Sequence, residues 1–203
     1  MATTHVDSPP DRRLPWFGRS ITGSRGRYLG DVIYGAIDGS VTTFAVVSGV
    51  AGAGLSPAVV LILGTAGLIG DGFSMAAGNY LSTRAEQQRD ADGASHLEAG
   101  KKKSRRTAIA AATATFLAFL LAGAVPLLPY VLLAAGCPIK AVPLWSSSLT
   151  CSVFFLVGAG KTLFVPVRWW VAGLESLAIG CAAAGMAYGC GFLVGGLVGD
   201  VAH

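Results

Sequence analysis

Charge is what this 203-residue chain has least of. Only 13% of its residues are Asp, Glu, Lys or Arg, whereas soluble domains carry about 25%. Hydrophobic residues make up 53% of the chain, and the mean hydropathy is +0.60. This composition excludes an ordinary soluble domain and places the chain among the integral membrane proteins.

The residues that catalytic and redox sites use are equally scarce. The three histidines lie outside the apolar segments, no H-x-x-H or H-E-x-x-H pattern occurs, and no nucleophile stands beside a base. The four cysteines form no C-x-x-C pair, so we interpret them as small core residues. We therefore expect neither an enzyme nor a permanently bound cofactor. The cysteines are Cys137, Cys151, Cys181 and Cys190.

The first 30 residues lack an apolar stretch followed by a cleavage site, so we expect no cleaved signal peptide. They are polar, rich in arginine and contain three prolines. We divide the chain into a polar basic tail, 1–28, and a membrane domain, 29–203.

Five segments are apolar enough to cross a bilayer, which takes about 20 residues of helix. They predict an all-α integral membrane protein with five transmembrane helices. Pro126 and Pro129 lie in the third segment, where their rings and missing N–H groups break or bend a helix. The segments are 32–53, 57–82, 107–135, 142–163 and 168–198.

The basic residues predict the orientation. Fourteen of the fifteen Lys and Arg residues precede the first segment or cluster around the connections after the second and fourth, and only Lys140 falls on the other side. Short loops rich in Lys and Arg stay in the cytoplasm. We therefore expect a cytoplasmic N-terminus and a C-terminus on the opposite side. Because topology accounts for the basic residues, they do not indicate nucleic-acid binding.

Four acidic residues lie in or against the apolar segments. An ionisable side chain there costs about 2.5–3.5 kcal/mol on insertion scales, so it points to function unless neighbouring groups satisfy it. The four are Asp31, Asp38, Asp71 and Glu175.

Three of these residues have a structural alternative. Asp31 could pair with Arg25 or Arg27, and Asp38 could be held by a hydroxyl such as that of Thr42.

For Glu175 the alternatives are a part in a proton relay or satisfaction by neighbours near the membrane surface. The neighbours are Trp169, Trp170, Lys161 and Arg168.

The second segment contains GDGFSMAAGNY, in which Asp71, Met75 and Asn79 recur every four residues and so share one helix face. Carboxylate and carbonyl oxygens suit Mg, Ca and Mn, and a thioether tilts the preference towards later transition metals. A metal ion and a proton compete for carboxylate oxygens, which permits exchange of one for the other. We predict Asp38, Asp71, Met75 and Asn79 as metal ligands. Asp31, Asp38 and Asp71 are predicted to line the pathway or couple protons.

Small residues accompany the acidic ones. Gly35 and Gly39 form G-x-x-x-G in the first segment, and glycine permits close approach of membrane helices. This spacing would let the two acidic helix faces meet, within one protomer or across a dimer. In the second segment the glycines are Gly64, Gly67 and Gly70.

The connection 84–106 is a sizeable polar segment, compatible with helix apart from a break near Asp92 and Gly93. One interpretation is a solvated link whose basic end attracts anionic lipid. The other is a cytoplasmic rim that collects metal ions, formed by Glu86, Asp90, His96 and Glu98.

Two strings, DVIYGAIDGSVTTFAVVSGVAGAGLS at 31–56 and IGDGFSMAAGNYLSTRAE at 69–86, resemble the vacuolar iron transporter family. The resemblance continues through FLAFLLAGAVPLLPYVL at 116–132 and the glycine-rich last segment, so it covers most of the chain after residue 28. The chain is similar to the short, nodulin-like members.

The resemblance implies a five-helix homodimer whose ion path lies between the protomers near the first helix. It implies transport of ferrous iron, and often manganese, out of the cytosol in exchange for protons. By motif position, Asp38 matches the pathway aspartate and Met75 the helix-two methionine, while Asp31 and Asp71 match acidic positions on the same route. The membrane would be the plasma membrane of a bacterium, or the vacuolar or another organellar membrane of a eukaryote.

The chain departs from the family pattern in two places. Relatives often carry Glu where Asn79 stands; a carboxamide coordinates through oxygen but has neither charge nor an exchangeable proton. Many members also insert a long, Glu-rich cytoplasmic metal-binding domain after the second helix, for which 84–106 is too short.

Two other functions stay open. The protein could be a membrane scaffold or regulatory subunit whose polar residues only hold helices together. It could instead carry a small organic substrate, although the polar stripes contain few aromatic residues. For the transporter, the expected partners are the metal ion, the lipid bilayer and a second copy of the chain.

Overall fold

The computed structural model describes residues 24–92, 98–163 and 167–201, and side chains for 29–88, 108–162 and 167–198. This part of the chain is almost wholly helical and contains no strand. Its six helices are α1 (Ser24–Gly52), α2 (Pro57–Asp92), α3 (Glu98–Ala124), α4 (Leu128–Ala134), α5 (Val142–Gly160) and α6 (Trp169–Val201). Short 3-10 turns follow α3 and α5, at Val125–Leu127 and Lys161–Leu163.

The prediction of five spans is confirmed, and the protein is a multi-pass integral membrane protein. Each span is long and apolar enough to cross a bilayer, with α3 and α4 together making the third. The spans are Leu29–Gly52, Pro57–Gln88, Ala108–Ala134, Val142–Gly160 and Trp169–Val198.

The second helix is longer than the sequence predicted. It runs past residue 82 to Asp92, and α3 begins at Glu98, so most of the polar connection 84–106 is helical. The end of α2 at Asp92 agrees with the predicted break near that residue. The predicted tail, up to residue 23, lies outside the described residues, as does His96.

The third span bends where its two prolines stand. Pro126 lies in the 3-10 turn and Pro129 in the first turn of α4. In a 3-10 turn each N–H donates to the carbonyl three residues earlier. Pro129 has no N–H, so the Pro126 carbonyl lacks this donor. The fully buried Ser146 hydroxyl of α5 donates to that carbonyl instead, at 2.6 Å. A side chain thus satisfies a backbone group where lipid offers no partner.

Helix α1 is the centre of the bundle and contacts α2, α3, α5 and α6. A Cβ added at Gly35 would lie 2.6 Å from the Thr115 carbonyl oxygen of α3, and one added at Gly39 would overlap the Phe119 backbone. At the other end of α1, Gly52 meets the Tyr188 backbone of α6 in the same way. Glycine is therefore required where α1 crosses both neighbours backbone against backbone.

The apolar core occupies the half of the bundle nearest the α1–α2 turn. It contains the edge-to-face pair Phe44 and Phe154, whose ring centroids lie 6.0 Å apart, and aliphatic residues from α1, α2 and α5. The acidic and amide residues singled out above lie towards the middle and the opposite half, where α3 presents small side chains such as Ala108 and Ala111.

We expect Gly39→Ala to destabilise the protein by about 1–3 kcal/mol, the usual cost of forcing an extra carbon into a packed interior. Gly189→Ala is the matched control, because a Cβ at that α6 position has nothing within 4 Å. Thermal unfolding of the purified variants in detergent measures the difference. Equal Tm values for the two variants would contradict the close crossing.

Candidate functional site

The geometry of the α1–α2 hairpin brings the acidic residues to matching heights. The two helices are joined by a short turn at 53–56. Asp38 stands 14 residues before the end of α1 at Gly52, and Asp71 stands 14 residues after the start of α2 at Pro57. At a rise of about 1.5 Å per residue, both lie roughly 21 Å from the turn. By the same count Asp31 and Asn79 lie level with each other, nearer the end of the hairpin that is away from the turn.

The Asp38 and Asp71 carboxyl groups are close enough to interact electrostatically across the two helices. Asp38 is half-buried and Asp71 is exposed on the protomer surface. Within the described part of the chain, no side chain donates a hydrogen bond to either carboxyl group. Two carboxylates that approach each other in apolar surroundings repel, and a bound cation or proton relieves that repulsion.

The structural alternative for Asp38 is wrong as far as Thr42 is concerned. The Thr42 hydroxyl donates its proton to the backbone carbonyl of Asp38, at 2.8 Å. A hydroxyl has one proton to give, so it leaves the carboxyl group unsatisfied. Asp31 is partly buried and does interact with other groups; the side chains of Arg25 and Arg27, its proposed partners, lie outside those described.

Met75 and Asn79 are partly buried, whereas Asp71, on the same predicted stripe, is exposed. A spacing of four residues advances a helix by about 400°, so the stripe turns by about 40° at each step. Over two such steps the stripe turns from the side of α2 that faces Asp38 to the side of α2 that faces α3. Met75 lies between, one turn from Asp71.

Asn79 is engaged at both ends of its carboxamide. Its Nδ2 donates to the Thr115 hydroxyl of α3 at 2.6 Å, and its Oδ1 accepts from the Thr83 hydroxyl at 3.2 Å. Thr115 is fully buried and donates its own proton to the Ala111 carbonyl at 3.0 Å. Thr115 was not predicted from the sequence, where the available signal was a hydroxyl within an apolar span.

The glycines contribute differently from the expectation. Gly35 and Gly39 pack against α3 rather than bringing the two acidic helix faces together. Successive helical residues point about 100° apart, so Asp38 projects to a different side from Gly39. On α2, Gly64 contacts Leu127, whereas Gly70 has nothing within 4 Å.

No group of three or more His, Cys, Asp or Glu side chains capable of holding a metal ion occurs among the described residues. The ligands available in the candidate site are two carboxylates and a thioether. Glu86, from the predicted metal-collecting rim, is exposed on α2. The side chains of Asp90 and Glu98, and the whole of His96, lie outside the described part, so the rim stays a prediction.

Glu175 is exposed on α6, and in the described part of the chain it makes no ion pair with Lys161 or Arg168. The Arg168 guanidinium lies over the Trp170 ring, 6.0 Å from its centroid, and Trp169 packs edge-on against Phe155. These neighbours therefore do not satisfy Glu175 as the structural alternative required.

The described part of the chain has five spanning helices, of which the central one is packed through glycines, and two carboxylates and a thioether near the middle of the spans. These features define a multi-pass membrane protein with a polar site inside the membrane. The VIT family model matches residues 29–98 and 87–192. Because these ranges take in most of the chain, the protein belongs to the VIT family.

Curated relatives match parts of the chain. It is 42% identical over 66 residues to a vacuolar iron transporter of Toxoplasma gondii, which is 32% of this chain and 22% of the relative. It is 41% identical over 59 residues to a vacuolar iron transporter of Plasmodium berghei, which is 29% of this chain and 22% of the relative. It is 32% identical over 114 residues to vacuolar iron transporter homolog 2 of Oryza sativa subsp. japonica, which is 52% of this chain and 59% of the relative. The matched stretch thus spans less than two thirds of each relative.

A hydrophobic carbodiimide tests whether the paired carboxyl groups bind a cation. The reagent modifies protonated carboxyl groups inside membranes, and peptide mass spectrometry locates the adducts. We expect ferrous iron to lower the extent of modification at Asp71. Glu175 is the internal control, since this exposed carboxyl group on α6 has no acidic partner among the described residues. Equal protection of both residues would contradict a site at Asp71.

Proposed function

We propose that this protein is a proton-coupled secondary transporter that moves a divalent transition metal, ferrous iron or manganese, out of the cytosol. The observation that carries the proposal is the approach of Asp38 and Asp71, level with each other in two spanning helices and without a hydrogen-bond donor among the described residues. Membership of the VIT family supports it, and so does the similarity to curated vacuolar iron transporters.

The chemistry of the three proposed ligands, Asp38, Asp71 and Met75, suits a transported ion. Two carboxylates supply the charge that draws a divalent cation into an apolar region. The thioether favours later transition metals over Mg²⁺. Because the same carboxylate oxygens bind either the cation or a proton, one leaves when the other binds. We leave Asn79 out of this set, because both its Nδ2 and its Oδ1 already bond to protein groups.

A second copy of the chain completes the proposed site. Asp71 is exposed on the protomer surface, and so are Tyr34 and Phe73 on the adjoining faces of α1 and α2. A carboxylate facing lipid is costly, and its removal from lipid favours association through this face. The predicted orientation places Asp31 and the end of α2 on the cytoplasmic side, and thus at the entrance of an export route.

The two alternative functions have weaker support. A scaffold uses polar residues to hold helices together, which describes Asn79 and Thr115 but not Asp38 and Asp71, whose carboxyl groups hold nothing in the described chain. A carrier of organic molecules needs an aromatic-lined cavity, whereas Tyr34 and Phe73 are 66% and 70% exposed.

Substitution of Asp38 tests the proposed function. In proteoliposomes, Asp38→Ala should abolish metal-dependent proton flux, because one of the two exchanging carboxylates is lost. Thr42→Val is the control; it removes a hydroxyl that bonds the neighbouring backbone and leaves the carboxylate in place. Unchanged flux in Asp38→Ala would refute the role of this residue, and a wild-type protein without transport would favour the scaffold.

Substitution of Met75 tests the selectivity. Met75→Leu keeps the apolar volume but removes the sulfur, and Met75→Ala removes both. Both substitutions should weaken the binding of ferrous iron by about tenfold, equivalent to about 1.4 kcal/mol. They should weaken the binding of Mg²⁺ much less. Competition of each metal with iron flux measures the two affinities. An equal loss for iron and magnesium would refute the thioether as a ligand.

A further inference from the structure

We propose that Asn79 is a positioning residue: its carboxamide bridges Thr83 and Thr115 and so holds the Met75-bearing half of α2 against α3. Its effect on metal transport rests on the proposed function, whereas the bridge itself does not.

The bridge is a continuous chain of hydrogen bonds between two spanning helices. Thr83 donates to Asn79, Asn79 donates to Thr115, and Thr115 donates to the Ala111 carbonyl, at 3.2, 2.6 and 3.0 Å. Thr115 has no exposed surface, so water does not compete with the short central bond. Four residues on two helices are thereby fixed relative to one another.

The direction of the chain requires a hydrogen-bond donor at position 79. The proton of Thr115 is committed to the Ala111 carbonyl, so its oxygen faces Asn79 as an acceptor. The group opposite must be a donor, which orients Nδ2 towards Thr115 and Oδ1 towards Thr83. A carboxylate has no proton to donate, and it would place negative charge against the lone pairs of Thr115. The position therefore calls for a neutral side chain that both donates and accepts.

The bridge lies in a stretch of α2 without fully buried side chains among the described residues. Nearer the turn, α2 packs on α3 and the bend, where a Cβ at Gly72 would lie 3.1 Å from Phe119, and Gly64 contacts Leu127. From Phe73 to Gln88 the α2 side chains are exposed or only partly buried. Met75 lies in this stretch, one turn from Asn79. The rotation of α2 about its axis there sets the distance from the sulfur to the Asp38 carboxyl group on α1.

A double-mutant cycle on thermal stability in detergent tests the bridge without reference to transport. Asn79→Ala and Thr115→Val should each lower Tm, and the double variant should be no less stable than the worse single one, because each change breaks the same bond. Thr113→Val is the control, since that exposed hydroxyl only bonds its own helix at the Ile109 carbonyl. Additive losses, or wild-type Tm values, would overturn the bridge.

The same variants in proteoliposomes test the positioning role. Asn79→Ala and Thr115→Val should raise the KM for ferrous iron by a similar factor, about threefold for an average interhelical hydrogen bond in a membrane protein, and the double variant by no more. Thr115→Ser, which keeps the hydroxyl, should retain the wild-type KM. A raised KM in Asn79→Ala with an unchanged KM in Thr115→Val would identify Asn79 as a metal ligand and overturn the proposal.

The two measurements separate the failures. Coupled Tm losses in a protein without metal flux would leave the bridge standing and refute the proposed function. Metal flux together with additive Tm losses would refute the bridge and leave the proposed function standing.

Discussion

The contact of α1 with α3 at Gly35 and Gly39 is the constraint on which the rest of the bundle depends. Backbone meets backbone there, and no side chain larger than hydrogen fits. This contact makes α1 the central helix and commits its glycine face to α3. The neighbouring face, which carries Asp38, is left beside α2, and the short turn at 53–56 then fixes the height at which the two helices match.

The polar residues of the spans fall into two kinds. Asn79, Thr115 and Ser146 bond to protein partners and satisfy groups that lipid cannot. Asp38 and Asp71 interact with each other but accept no hydrogen bond from the described residues. The first kind stabilises the fold. The second kind costs free energy in the empty protein, which a bound cation offsets, and this is the physical basis of the transport proposal.

Much of the fold follows from composition and periodicity. Five apolar runs and two prolines predicted the five spans and the bend, because hydrophobic length and a missing N–H act locally. The partner of a helix face is not local. Gly35 and Gly39 indicated a close contact, but nothing in the sequence showed that the contact is with α3. For the same reason Thr115, the partner of Asn79, was missed.

The candidate site was predicted in part. Spacing correctly placed Asp71, Met75 and Asn79 on neighbouring turns, but a strict stripe ignores the rotation of about 40° at each step of four residues. That rotation separates Asn79, which bonds α3, from Asp71, which faces α1 and the open side. Thr42 lies on the same helix face as Asp38, as predicted, yet its hydroxyl donates to the backbone carbonyl rather than to the carboxyl group. The sequence does not show which of these two acceptors the hydroxyl uses.

X-ray absorption at the iron edge of the ferrous-loaded, purified protein tests the central claim most directly. The account predicts carboxylate oxygens and one sulfur in the first coordination shell, with the sulfur lost in Met75→Leu and binding lost in Asp38→Ala. A wild-type shell of oxygen and nitrogen alone, unchanged in Met75→Leu, would contradict it.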